Sequence, residues 1–147
     1  MLVDDDRFFA QRIAEMLNDR GLQVKQMSNV QDALSGASDE YAAFLIDVML
    51  PNDPAASGIS DEESRAGHLS GVALARKLKV KHPSIPIILF SASDSNEAKQ
   101  WAQENEIRFV RKSDGSQVFL KAASELGLFG KAPPHSHSSC MAVMRRL

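Results

Sequence analysis

The sequence predicts an α/β fold: a parallel sheet covered by helices on both faces. Two observations carry that expectation. Short apolar runs recur, namely Ala43-Phe44-Leu45-Ile46, Ile85-Pro86-Ile87-Ile88-Leu89-Phe90 and Ile107-Arg108-Phe109-Val110, and stretches of helical spacing lie between them. Runs that are apolar on both faces belong to strands buried on both sides, which a parallel sheet with helical crossovers provides. Each run also ends at a polar residue, at the edge where such sheets bind ligands.

Met1 to Val3 form the tail of an apolar strand that opens into Asp4-Asp5-Asp6; it is short for a core strand and reads as clipped. Phe8, Phe9, Ile13, Met16 and Leu17 recur at helical spacing, predicting a helix from about Arg7 to Arg20 with Gly21 as its stop. Leu22 to Met27 alternates as a half-buried strand does. Ser28 or Asn29 can cap a second helix through Ala33 and Leu34. The remaining helices are expected at Val72 to Val80, about Asn96 to Gln103 and about Gln117 to Leu126, giving about five βα units with right-handed crossovers. The expected sheet is doubly wound and five-stranded, in the order 2-1-3-4-5 of flavodoxin-like folds.

Two stretches break the rhythm. Pro51 to Ser70 is polar, acidic and much longer than a usual βα loop. Gly127 to Leu147 holds Pro133-Pro134, His135, His137 and several serines. It reads as a flexible tail, with a short helix at Met141 to Leu147. The expected division is one domain over 1–127, with an insertion at about 52–70, and a tail over 128–147.

Composition sets limits. The 147 residues are 44% hydrophobic and 24% charged, ordinary for a globular protein able to bury a core. A net charge of −2 argues against general attraction to nucleic acid or anionic membrane. No apolar run approaches a membrane span, and no signal peptide precedes the aspartates. The lone Cys140 excludes an internal disulfide. These features predict a cytoplasmic domain.

In a parallel sheet the strand ends share one edge, which brings Asp4 to Asp6, Asp47, Ser91 and Lys112 within reach of each other. Crowded carboxylates repel, by about 4 kcal/mol per pair at ~4 Å and an effective dielectric of 20. A hard divalent cation with oxygen ligands removes that penalty, and Mg²⁺ suits a site with few carboxylates and a phosphate oxygen. A carboxylate can attack phosphorus to give an aspartyl phosphate, while a lysine and a hydroxyl hold the phosphoryl oxygens.

The strings Leu2-Val3-Asp4-Asp5-Asp6, Leu45-Ile46-Asp47-Val48-Met49-Leu50-Pro51, Pro86-Ile87-Ile88-Leu89-Phe90-Ser91-Ala92 and Phe109-Val110-Arg111-Lys112, in this order, resemble the response-regulator receiver family of two-component signalling over about residues 1–127. The resemblance implies that Asp47 is the phosphoacceptor. It makes Asp4 and Asp5 the acidic pair for Mg²⁺, joined by Asp47 and the backbone carbonyl of Met49. Ser91, Ala92 and Lys112 become the phosphoryl-binding positions, and Phe109 falls at the aromatic switch position. The implied function is phosphorelay: a sensor histidine kinase or histidine phosphotransfer protein donates to Asp47. Contacts among the fourth helix, the fifth strand and Phe109 then shift. The implied chemistry is limited to the chain's own phosphorylation and dephosphorylation, so it is not otherwise an enzyme. The implied partners are the donor and a downstream protein target, with homodimerisation a further option. No DNA-binding domain is expected after Leu126, and neither nucleic acid nor membrane is an expected direct partner.

Three features depart from the family pattern. The glycine usually found about eight residues after the phosphoacceptor is matched by Gly71, after roughly sixteen extra residues. Ser113 stands where proline usually follows the lysine. The first strand is clipped. Two other readings stay open on the residues. A phosphatase of the haloacid-dehalogenase type would use Asp4 and Asp6 as its Asp-x-Asp motif. A receiver-like binding module would turn over no phosphate. Asp53, Asp61, Glu62 and Glu63 read as solvated acids, and Cys140 as an unremarkable thiol.

Overall fold

Leu2–Val3 (β1), Gln26–Met27 (β2), Phe44–Asp47 (β3), Ile87–Ser91 (β4) and Arg108–Arg111 (β5) make one parallel sheet in the order β2-β1-β3-β4-β5. This is the order expected from the sequence. The structure is a computed structural model that describes residues 1–129. The helix expected at Met141 to Leu147, with His135, His137 and Cys140, lies outside those residues. Among the described residues no helix is long and apolar enough to cross a membrane.

Side chains of a strand alternate between its faces, and the two faces carry two cores. Val3, Phe44, Ile46 and Leu89 pack on one face with Val30, Leu74 and Ala98. These come from α2 (Val30–Gly36), α4 (Ser70–Lys81) and α5 (Asn96–Glu104). Leu2, Leu45, Ile88, Phe90 and Val110 pack on the other with Ile13, Leu17 and Phe119. These come from α1 (Arg7–Asn18) and α6 (Ser116–Glu125). The central strands β3 and β4 are buried at every position, which accounts for their apolar sequences. β5 is an edge strand, and Arg108 and Arg111 are exposed on it.

Some elements differ from the sequence expectation. The alternating stretch from Leu22 pairs as a strand only at Gln26–Met27, matching the short β1 beside it. β4 starts at Ile87 rather than Ile85: Pro86 has no N–H to give a ladder, although its carbonyl accepts from Phe44. Asn29, not Ser28, caps α2, accepting from the Asp32 amide at 2.8 Å. Leu128 is buried in the second core with Phe129 packed against it.

The 52–70 insertion is built rather than loose. It contains a short helix, Pro54–Ser57 (α3), capped by Asp53. Ile59 is fully buried in the first core. At its far end the Ser70 hydroxyl donates to the Leu50 carbonyl and accepts from the Leu50 amide, each at 2.7 Å.

Candidate functional site

The carboxyl end of the sheet gathers the side chains singled out by the sequence. Asp4 follows β1 and Asp47 ends β3, and both are buried. Each accepts locally: Asp4 Oδ1 from the Asp6 amide at 2.9 Å, and Asp47 Oδ1 from the Met49 amide at 3.3 Å. These contacts fix one oxygen of each carboxylate and leave the other aimed into the site. Asp6, the third acid of the run, turns away to cap α1 through the Phe9 amide. Asp5 is exposed, yet one oxygen from each of Asp4, Asp5 and Asp47 lies within 4.8 Å of the others.

Lys112 reaches in from the segment after β5. Its ammonium lies 2.9 Å from Asp4 Oδ2 and 3.0 Å from Asp47 Oδ2, and it donates a hydrogen bond to the latter. Toward Asp4 Oδ2 the approach is close but off the line a hydrogen bond needs, so that buried oxygen lacks a hydrogen-bond partner. The same ammonium sits 4.5 Å from the ring centre of Phe9 and 5.5 Å from that of Phe90. These rings hold the lysine stem and favour its charge. Burial alone would lower the Lys112 pKa, but Asp4 and Asp47 outweigh it and leave it raised.

Burial pushes the Asp47 carboxyl up to about 7, assisted by the neighbouring Asp4 carboxylate and opposed by Lys112. Two buried carboxylates therefore share one ammonium, with the exposed Asp5 beside them. An under-satisfied buried oxygen beside two further carboxylates suits a hard divalent cation. Asp4, Asp5 and Asp47 could hold one.

Ser91 ends β4, one residue beyond Phe90, the register partner of Asp47; it is buried, with its oxygen accepting from the Ser93 amide at 3.2 Å. Ala92 and Met49 are exposed, and Phe109 is half-buried on β5. Gly71 explains the displaced glycine. A Cβ there would lie 1.8 Å from the Asp47 carbonyl oxygen, and its own amide donates to Val48 at 2.8 Å. Only glycine lets α4 approach the end of β3 this closely.

Sequence reasoning missed three contributors. Phe9 and Phe90 carry an apolar, core-like signal, and nothing in their spacing marks them as the lysine's walls. Ser70 is one serine among many in a polar stretch, and only its distance to Leu50 shows its role.

No protein-family model matches the chain. It is 26% identical over 124 residues to the C4-dicarboxylate transport transcriptional regulatory protein DctD of Rhizobium meliloti. That alignment takes in 83% of this chain but 24% of DctD, so the chain spans about a quarter of the curated relative it matches. A Burkholderia pseudomallei response regulator, solved with a phosphorylated aspartic acid, calcium ion and citrate, superposes with a TM-score of 0.63 at 25% identity. That match covers 85% of this chain and 68% of that one. The non-phosphorylated HemR receiver domain of Leptospira biflexa superposes with a TM-score of 0.70 at 18% identity, over 92% of this chain and 96% of that one. The five-stranded 2-1-3-4-5 sheet and the sequence likeness together say the same thing: this chain has the receiver fold and resembles the receiver domains of response regulators.

Proposed function

We propose that the chain is a phosphoacceptor receiver domain and that Asp47 is the residue phosphorylated. The observation that carries this reading is the Lys112 ammonium held between Asp4 and Asp47 at 2.9 and 3.0 Å, with Ser91 buried at the adjacent strand end.

In this reading an Asp47 carboxylate oxygen attacks the phosphorus of a phosphohistidine on a kinase or phosphotransfer protein. The O–P bond forms, the P–N bond breaks, and the imidazole leaves. Lys112 exchanges its Asp47 contact for a phosphoryl oxygen, and the Ser91 hydroxyl donates to another. The small side chain of Ala92 leaves room for the group. Asp4 and Asp5 would hold Mg²⁺ together with Asp47 and the Met49 carbonyl; that ion would neutralise charge on the transferring group. Asp4 keeps Lys112 in place before transfer. Drawing Ser91 and Lys112 inward shifts the segments after β4 and β5, and with them the α5–β5 surface and half-buried Phe109. A downstream protein reads that surface. The setting is the cytoplasm, and the chain's chemistry is confined to itself.

Incubation with acetyl phosphate and Mg²⁺, read by intact mass, tests this. The wild type is expected to gain one phosphoryl group and Asp47→Asn none. An unlabelled wild type, beside a control receiver that labels, overturns the reading. So does release of phosphate from a small phosphomonoester that is lost in Asp4→Asn but kept in Asp47→Asn.

A further inference from the structure

The insertion does more than fill space after β3. Its second half is a rigid turn with two non-glycine residues in left-handed backbone, Arg65 at φ 53° and Ala66 at φ 55°. Such a pair persists only where the surroundings over-determine it. Here they do. Ser64 is buried beneath the turn, Ala66 N donates to Asp61 at 2.7 Å, and Leu69 N donates to Ser64 at 2.8 Å. Ser70 and Gly71 then fasten the turn to the end of β3 through Leu50 and Val48.

From this post Arg65 reaches across to Glu97, at 3.4 Å. Glu97 stands in the first turn of α5, two residues after its cap Ser95. The pair thus closes one side of a groove between the insertion and the β4–α5 segment, whose floor includes Val48, Met49 and Ser93. The other side of that segment is held by Asp94, which pairs with Arg111 on β5 at 3.3 Å. Ser91, six residues before Glu97, is joined to the same segment through Ser93.

We infer that Arg65 is a positioning residue: its clasp on Glu97 ties the segment following Ser91 to the insertion and opposes the inward movement of Ser91 toward a phosphoryl group. The inference rests on the phosphoacceptor reading above. Its consequence is that the insertion lowers phosphoryl occupancy at a given donor concentration. Both side chains are exposed, at 66% and 62%, so the effect is that of a solvent-screened ion pair.

The test is titration of the full chain with beryllofluoride in Mg²⁺, read by the rise in Tm and by the fluorescence of Trp101, the single tryptophan, one helical turn after Glu97. Arg65→Ala is expected to lower the half-saturating concentration about two- to fivefold, the range of an exposed pair. Arg65→Glu should do the same, and adding Glu97→Arg to it should restore the wild-type value. Without ligand or metal, Arg65→Ala should speed hydrogen exchange of the 92–98 amides and leave β3 and β4 unchanged. If the wild type binds but Arg65→Ala binds equally or more weakly, or the charge swap does not restore, the clasp is overturned and the phosphoacceptor reading stands. If the wild type neither binds beryllofluoride nor takes a phosphoryl group, the phosphoacceptor reading fails and takes the clasp with it.

Discussion

Two acid-rich segments leave the sheet at the same edge, and they use their carboxylates in opposite ways. After β1 the chain turns within three residues, and Asp4 ends up 3% exposed, aimed at Lys112. After β3 the chain travels about twenty residues before α4, and Asp53, Asp61, Glu62 and Glu63 all stay in solvent. Asp53 caps α3, and Glu63 bonds Ser60. The difference lies in what fixes the backbone. A tight turn between a buried strand and a helix leaves Asp4 one direction to point. The long connection is fixed by Ile59, Ser64 and Ser70, so its acids are free to face water. Within the short turn only Asp4 is buried while Asp5 and Asp6 face solvent, so the position a backbone gives each acid, not acidity alone, makes the site.

Several substitutions would sharpen or break that contrast, the largest first. Ile59→Ala removes the apolar anchor of the long segment and is expected to cost about 2–5 kcal/mol in urea unfolding. A cost below 0.5 kcal/mol would mean the insertion is not anchored there. Gly71→Ala forces a methyl group toward the Asp47 carbonyl and should cost about 1–3 kcal/mol. It should also impair phosphoryl labelling, because the displaced backbone carries Asp47.

A pH series separates the two kinds of acid. Folding raises Asp47 to about 7 from the ordinary carboxylate range near 3.9. The folded chain therefore keeps a proton that the unfolded chain has already lost. That contribution is present at low pH and disappears as pH rises through about 7. In chelator, unfolding free energy should fall between about pH 4 and pH 7. The slope should flatten in Asp47→Asn; equal slopes in the two proteins would show that Asp47 is not the group. The smallest effect is expected from Asp61→Asn with Glu62→Gln, within about 0.5 kcal/mol of wild type and with labelling unchanged. Reduced labelling in this pair would break the comparison, by making the long segment's acids part of the site.

The sheet order and the convergence of Asp4, Asp47 and Lys112 were legible because strand ends in a parallel sheet share an edge, and each strand announced its end with a polar residue. Gly71 was legible as a glycine out of place; its reason, contact with the Asp47 carbonyl, was not, since a backbone approach leaves no side-chain pattern. The alternation from Leu22 overstated β2 because pairing is limited by the partner strand, which periodicity cannot see. Within the insertion, polarity hid the order. Small hydroxyls that replace backbone partners look like any loop serines, and a single isoleucine forms no period.

The pair of hydrogen bonds between the Ser70 hydroxyl and the Leu50 backbone has a consequence for how this chain could change. It pins the entry and exit of the insertion side by side, as the neck of a purse. Lengthening a flexible loop between fixed ends costs only about 0.6 kcal/mol per doubling. The exposed parts of the stretch, outside buried Ile59 and Ser64, are therefore exchangeable. They can be lengthened, shortened or replaced while the neck and the Ile59 anchor hold β3, and with it Asp47, in register.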